Sequence, residues 1–382
     1  MTQSLPGSRQ AVTYASGLFV ATDSSPAAQV HVSTDGVPWE THAFPSVEFT
    51  QAITYGGGQF ITVGLYGTIL SSTNAVDWTL RIERAGPLQN LSGIVTDGTR
   101  LVAVAWGGGS LVSTNGIAWS YHPPPGPPVR YSINGVACGA ARIVAVGATN
   151  YYDPATRRAV VDLSEDGASW THEELTDSGV LWAVTFGNGQ FAAVGEGSPS
   201  LVITSTDGAV WNRRAVPGSF PVLNDVVFGN GRFVAVGKGG RILTATNAVD
   251  WVGVSPPSFS RDLNSVAYGK GAFVAVGKYG LAVSPDGLNW ETSSSPFPIT
   301  EDFSEVDFVG GVFLARSSRG TLISDDGLHW TYRPWVLYFG SGHCRIQGEP
   351  VQRQPGRGRP SIGTAVSRSG LQRSEARRRR VV

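Results

Sequence analysis

The chain has 382 residues, with 49 Gly, 23 Pro, 2 Cys, 11 Trp and only 15% charged residues. Glycine far above and charge far below their usual shares exclude a coiled coil and an acidic disordered chain. Basic and acidic groups balance at 29 each, but residues 1–336 hold 19 basic against 27 acidic while 337–382 hold 10 Arg against two Glu. The body is therefore acidic, which disfavours a nucleic-acid partner for it.

The opening MTQSLPGSRQ lacks the apolar core of a signal peptide, and no apolar run of 18 residues occurs. As written, the sequence predicts neither a leader nor a membrane span. Residues 1–9 read as a short N-terminal extension. From there a period takes over: Trp39, Trp78, Trp119, Trp170, Trp211, Trp251, Trp290 and Trp330 are separated by 39, 41, 51, 41, 40, 39 and 40 residues. Eight units of this length fill residues 10–336, a spacing that belongs to propellers and solenoids.

Each unit reads as four short strands. The first is SVAYG or DVVFG; the second is FVAVG, repeated as FITVG at Phe60, LVAVA at Leu101, IVAVG at Ile143 and FAAVG at Phe191. The third runs into a polar motif, as LVITS does at Ser205, and the fourth begins at the Trp. β-Branched and aromatic runs bounded by Gly-rich turns favour strands, and no helical stripe is sustained. The second strand is apolar without alternation, so both faces must be covered. A unit of this size cannot cover both faces alone, and stacking follows. The predicted fold is all-β: a single β-propeller of eight blades, each of four antiparallel strands. A flat solenoid is the alternative; it would need polar terminal repeats, and here the first and last are nearly regular.

The polar motif before each Trp runs STDGVPW (33–39), STNAVDW (72–78), STNGIAW (113–119), SEDGASW (164–170), STDGAVW (205–211), ATNAVDW (245–251), SPDGLNW (284–290) and SDDGLHW (324–330). It predicts a hairpin turn in which Asp35, Asn74, Asn115, Asp166, Asp207, Asn247, Asp286 and Asp326 accept backbone N–H groups and Gly supplies a positive φ. Where Ala75 and Ala248 replace that Gly, Asn precedes them as the better left-handed former. Each Trp should wedge between blades with its indole N–H on a carbonyl. Eightfold recurrence argues for a structural role, since a catalytic group is needed once.

These eight motifs resemble the BNR or Asp-box repeats of the sialidase-like propeller superfamily, in a shortened form, and residues 10–336 are similar to bacterial repeat proteins of that group. The resemblance implies a propeller, and an exported or cell-surface location. It spans sialidases, xyloglucan hydrolases, photosystem II assembly factors, sortilin-type receptors and other surface proteins, so it implies no single activity. The Arg-Ile-Pro string of sialidases is missing; the nearest is Arg81-Ile82-Glu83.

No GxSxG, HExxH or phosphate-binding loop occurs. Cys138 lies in an apolar segment and Cys344 in the basic end, neither with metal-ligand spacing, so no metal and no cofactor are expected. Carboxylates outside the motif gather as Glu173, Glu174 and Asp177, and as Glu301, Asp302, Glu305 and Asp307. A glycosidase needs a carboxylate pair, but with few cationic or aromatic neighbours in sequence both groups read as solvated loops.

In such blades the one-to-two and three-to-four turns share one end, and the two-to-three turns and blade links share the other. The first class is tight and uniform (YGGG 55–58, FGNG 186–189, FGNG 228–231, YGKG 268–271); the second is expected to be long and variable. Variable loops on a rigid scaffold are where binding concentrates. The fourth unit carries the largest insertion, 147–158, with Tyr151, Tyr152, Asp153, Arg157 and Arg158 suited to a sugar or a protein; a tolerated surface insertion is the alternative. Proline-rich links at 123–128 and 255–257 lie on the same face, and Trp182 and Trp335 are expected there as exposed departures from the repeat. A second candidate set precedes each innermost strand: Gln10, Gln51, Ser92, Asn134, Trp182, Asn224, Asn264 and Ser304, facing the channel mouth or satisfying strand ends.

After Trp335 the chain turns to Gly, Pro, Ser, Gln and Arg without Lys. Residues 337–382 are expected to be a disordered, Arg-rich tail, of the composition that GC-rich DNA read out of frame would give. The expected function is a non-enzymatic, monomeric binding propeller holding a glycan or protein partner on the variable-loop face. The alternatives are a glycoside hydrolase of the same superfamily or a photosystem II assembly-type chaperone.

Overall fold

The computed structural model describes residues 11–334 except 23–28, 37–38, 46–49, 84–89, 125–130, 177, 219–221, 255–259, 293–301 and 318–319. Gln10, Asp177, Glu301, Trp335, the extension 1–9, the tail 337–382 and most of the two proline-rich links lie outside the described residues. The chain divides into Met1–Val336 and Leu337–Val382, and the blades all belong to the first unit.

Eight four-stranded antiparallel sheets, each with its strands in chain order, form the molecule. The blades occupy 11–43, 50–82, 91–122, 131–174, 180–213, 223–253, 263–292 and 303–334. Helical content among the described residues is two three-residue 3-10 turns, Leu65–Gly67 and Lys238–Gly240, and none is long and apolar enough to cross a membrane. First strands of successive blades adjoin one another around the axis, and that of blade 8 returns to that of blade 1. The ring is closed, which excludes the open solenoid. Among the described residues closure uses face packing, with Phe19 of blade 1 against Leu314 and Ile323 of blade 8, and no exchanged strand, every blade being built from consecutive chain.

The unalternating second strands are buried on both faces, as their composition requires: Phe233, Val234, Ala235 and Val236 are each 0% exposed. Seams between blades hold continuous apolar clusters, such as Ala192, Val194 and Val202 of blade 5 with Leu223, Phe233, Leu243 and Trp251 of blade 6. Each fully buried Phe contributes about 1.5–3 kcal/mol relative to exposure. Outside blade 3, where four residues (97–100) make the turn, the one-to-two turns are two-residue hairpins with both φ positive, as at Asn188 (48°) and Gly189 (71°), or Asn230 (47°) and Gly231 (69°); this matches the twist of the flanking strands.

The last Gly of the FVAVG strand has a different cause. The first strand bulges opposite it, with register slips at Leu181/Ala183, Leu223/Asp225 and Leu263/Ser265. There a Cβ on Gly195, Gly237 or Gly277 would lie 1.8, 2.2 or 2.0 Å from the carbonyl oxygen of Val180, Val222 or Asp262. No side chain fits, so the bulge and the glycine are one device.

The polar motif forms the predicted hairpin turn. Asp207 Oδ1 accepts the N–H groups of Ala209 (2.9 Å) and Val210 (3.0 Å), and the Gly208 N–H donates to Ser205 Oγ at 2.8 Å. The same pair of bonds recurs at Asn74, Asn115, Asp166, Asn247, Asp286 and Asp326. Indole N–H groups of Trp39, Trp78, Trp119, Trp170, Trp211, Trp251 and Trp330 donate to the carbonyl three residues earlier, at 2.8–3.2 Å; that of Trp290 finds no acceptor among the described residues. The reading of the Ala variants needs correction: Ala75 (φ 63°) and Ala248 (φ 55°) themselves take the left-handed conformation. Their preceding Asn instead bonds the Asp three residues on, Asn74 to Asp77 at 2.8 Å and Asn247 to Asp250 at 2.9 Å.

Candidate functional site

The end opposite the polar motifs is where first strands begin and second strands finish. Its two-to-three turns are not uniformly long: blades 2, 6 and 7 turn through Leu65-Tyr66-Gly67, Lys238-Gly239-Gly240 and Lys278-Tyr279. Among the described residues the longest two-to-three turn is that of blade 4, at 150–157, flanked by those of blades 3 and 5 at 106–109 and 197–200.

These three blades bring four aromatic side chains together. Tyr151 and Tyr152 have ring centroids 5.1 Å apart; Trp106 lies 6.3 Å from the first and 6.4 Å from the second, and Trp182 lies 5.9 Å from Tyr151. All four contacts are edge-to-face, the arrangement the ring quadrupoles favour. Tyr152 is 73% exposed. Trp182 is half-buried rather than exposed, and its Nε1–H finds no acceptor among the described residues. Such a group costs about 1–3 kcal/mol.

Charged members of the insertion are spent locally. Asp153 accepts from the Ala155 N–H (3.0 Å) and Thr156 Oγ1 (2.8 Å), bonds that lower its pKa although it is fully exposed. Arg157 Nη2 pairs with Glu196 Oε1 of blade 5 at 2.6 Å, and Arg158 Nη1 donates to the Arg157 carbonyl. Trp106 was not singled out from the sequence, although a signal existed. Of the 11 Trp, three fall outside the period, Trp106, Trp182 and Trp335, and the two described ones meet here.

The described members of the polar set expected to precede the innermost strands lie within them, on the bulges, because those strands start two to four residues earlier than their apolar pattern suggests. Asn134 Nδ2 donates to the Leu181 carbonyl (2.9 Å), Asn224 to that of Leu263 (2.7 Å) and Asn264 to that of Phe303 (2.7 Å). Each Asn thus latches its blade to the next. Ser92 and Ser304 bond carbonyls of their own blades, Val104 and Arg316. Trp182 occupies the latch position in blade 5.

Blades 6 to 8 carry a charged cluster on the channel wall. Arg316, 2% exposed, contacts Glu305 Oε2 through Nη2 and Asp307 Oδ2 through Nη1, each at 2.6 Å. Glu305 and Asp307 lie in a first strand, Phe303–Val309, and are neither loop residues nor without a cationic partner. This corrects the solvated-loop reading for these two; Glu173 and Glu174 are exposed, on the outer strand Trp170–Glu174. Register places Asp307 opposite Leu314 and Glu305 opposite Arg316, so the triad shares the face that Leu314 turns to Phe19 at the seam with blade 1. The missed signal is FLARS at 313–317 against FVAVG elsewhere. Arg316 stands where the other units have Thr22, Val63, Val104, Val146, Val194, Val236 and Val276.

Asp225, the residue of blade 6 equivalent to Glu305, accepts from Ser265 Oγ (2.9 Å), Val266 N–H (3.0 Å) and Val226 N–H (2.8 Å). Burial pushes it up to about 7 against those bonds, and the charge of Glu305 adds to the rise. Burial also holds Asp307 above the usual carboxylate range, opposed by Arg316 and helped by Glu305. Side-chain exposures of 42% for Glu305 and 33% for Asp307 show that the channel keeps both carboxylates wet, which moderates the effect of burial.

The architecture defines the class: an eight-bladed β-propeller with an uneven mouth, aromatic over blades 3 to 5 and charged over blades 6 to 8. No family model matches the chain, and no curated protein matches it. Solved structures do. The computationally designed Ika8 protein superposes with a TM-score of 0.60 at 11% identity, over 85% of this chain and 96% of that one. YCF48 from Cyanidioschyzon merolae gives 0.53 at 15%, over 75% and 97%. Virginiamycin B lyase from Staphylococcus aureus gives 0.52 at 11%, over 81% and 92%. At such identities the likeness establishes the propeller and no chemistry, and the sialidase-like assignment remains a resemblance of motifs.

Proposed function

We propose that this propeller is a non-enzymatic binding module that holds a glycan at its uneven mouth, with a protein as the alternative occupant of the same surface. The observation that carries this reading is the convergence of Trp106, Tyr151, Tyr152 and Trp182 from three blades into one aromatic cluster that presents the exposed Tyr152 ring. Aromatic rings on a rigid scaffold supply contact area at little entropic cost. A glycan-array screen of the full chain tests it. Tyr151→Ala with Tyr152→Ala should abolish capture while the melting temperature stays within a few degrees, as expected for a loop outside the blade core. A blank array with capture of a defined protein ligand through the same two tyrosines transfers the site to a protein partner.

The charged wall favours a second reading, a glycoside hydrolase. Asp225 lies on the first strand of blade 6, and Glu305 and Asp307 on that of blade 8, with the first strand of blade 7 between them; two of the three hold protons unusually well, as a general acid must. Turnover of a panel of chromogenic glycosides and polysaccharides, lost in Asp225→Asn or Asp307→Asn, is its expected result. No turnover across the panel removes it.

A further inference from the structure

We infer that the aromatic half of the mouth is a subsite for an electrically neutral sugar ring, held by a tyrosine platform that Trp182 positions; the inference rests on the glycan reading above. The charges beside the platform are balanced in number. Asp153 and Glu196 offset Arg157 and Arg158; Asp153 closes its own turn, Arg157 holds Glu196, and Arg158 is turned back to a backbone carbonyl. With two acids against two bases the group is neutral overall, which gives it no net attraction for a carboxylate, a sulfate or an ammonium group. What remains available is ring surface, chiefly Tyr152 at 73% exposure, which suits the C–H face of an uncharged pyranose.

Trp182 shows that the platform is built rather than incidental. At its position blades 4, 6 and 7 place Asn134, Asn224 and Asn264, each latching to the next blade. Blade 5 gives up that latch, leaves an indole N–H buried without an acceptor among the described residues, and gains an edge-to-face contact 5.9 Å from Tyr151. Tyr151 in turn packs edge-to-face on Tyr152 at 5.1 Å. A local rule of the repeat is broken where it orients the tyrosine rings, as happens at functional sites. Trp182 is thus a positioning residue, acting through Tyr151.

The test is calorimetric titration of the full chain with neutral hexasaccharides of glucose, mannose and xylose, with hexagalacturonate and sialyllactose as acidic probes, and with hexaglucosamine as a cationic one. At least one neutral oligosaccharide should bind and the charged probes should bind at least about tenfold more weakly, a 1.4 kcal/mol discrimination. Tyr152→Ala should weaken the neutral ligand by about tenfold. Trp182→Asn should weaken it by about three- to tenfold with a melting temperature equal to or above that of the parent, because the latch is restored. Preference for an acidic or cationic probe overturns the neutral subsite and leaves the glycan reading standing; binding of none of the panel removes both. Unchanged affinity in Tyr152→Ala overturns the platform, and unchanged affinity in Trp182→Asn overturns the positioning role.

Discussion

At the end of the propeller that carries the polar motifs, one blade looks like the next: the same Asp or Asn accepts the same two N–H groups, and seven indoles bond the same carbonyl. At the opposite end neighbouring blades differ, with Trp106, Tyr151, Tyr152 and Trp182 on one side of the mouth and Asp225, Glu305, Asp307 and Arg316 on the other. Both ends are made by the same strands, so strand chemistry cannot account for the contrast. What repeats eight times is what every blade needs in order to fold; what occurs once is not demanded by the repeat. The charged wall is the sharper case, because it replaces apolar packing at the seam that closes the ring.

Breaking that wall should have the largest effect. Arg316→Ala leaves Glu305 and Asp307 without their shared guanidinium and should cost about 3–5 kcal/mol in chemical denaturation. A triple change, Glu305→Ser with Asp307→Ala and Arg316→Val, gives blade 8 the residues that blade 7 has at Ser265, Ala267 and Val276. It should be neutral or stabilising, since a well-packed apolar replacement matches or exceeds a buried ion cluster. A triple variant as unstable as the single one would mean that the seam needs its charges to close, and the contrast between folding end and functional end would fail there.

The repeated end should respond more mildly. Asp207→Ala removes the acceptor of two N–H groups and should cost about 1–2 kcal/mol, the scale of a lost capping side chain. Asp207→Asn should cost under about 0.5 kcal/mol, because Asn74, Asn115 and Asn247 make the same bonds in their own turns. Equal losses in the two variants would show that charge matters at this turn, contrary to a purely geometric role.

The same contrast explains how much could be read from the sequence. Blade number, the four-strand unit and the turn chemistry were legible because each signal occurs up to eight times and chance departures average out. The bulges were not, since nothing in a string such as Leu223-Asn224-Asp225 marks an extra residue. The sign lay across the sheet in Gly237, whose absent Cβ makes room for the Val222 carbonyl. The insertion at 150–157 was legible by its length, and Tyr151, Tyr152 and Trp182 do meet there. Trp106 was marked only by falling outside the Trp period; its proximity to the tyrosines comes from the stacking of blade 3 on blade 4, which no local pattern displays. Arg316 was hidden for a different reason: Glu305 and Asp307 look like a solvated acidic run until strand pairing sets the Arg opposite Glu305 and on the same face as Asp307.

The smallest effect separates the two ends by the sign of their pH dependence. Backbone N–H groups of Val210 and Ala209, with Ser205, lower Asp207 from 3.8 to about 2, so its contribution is present above pH 3.8 and is lost as pH falls through about 2. Asp225 runs the other way. Burial raises it from 3.8 to about 7, so the folded state binds the proton more tightly than the unfolded state. Its contribution is complete below pH 3.8 and declines as pH climbs to about 7. Denaturation at about pH 5 and about pH 8 should therefore show a stability decrease that Asp225→Asn flattens, since Asn keeps an acceptor for the Val266 N–H without a charge to desolvate. Asp207→Asn should leave the slope over that interval unchanged, because Asp207 is ionised throughout it in both states. A slope that Asp225→Asn fails to reduce would place the mouth in full contact with bulk water. The proton would then be held no more tightly there than in the unfolded chain, and the charged wall would lose its claim to unusual acid–base behaviour.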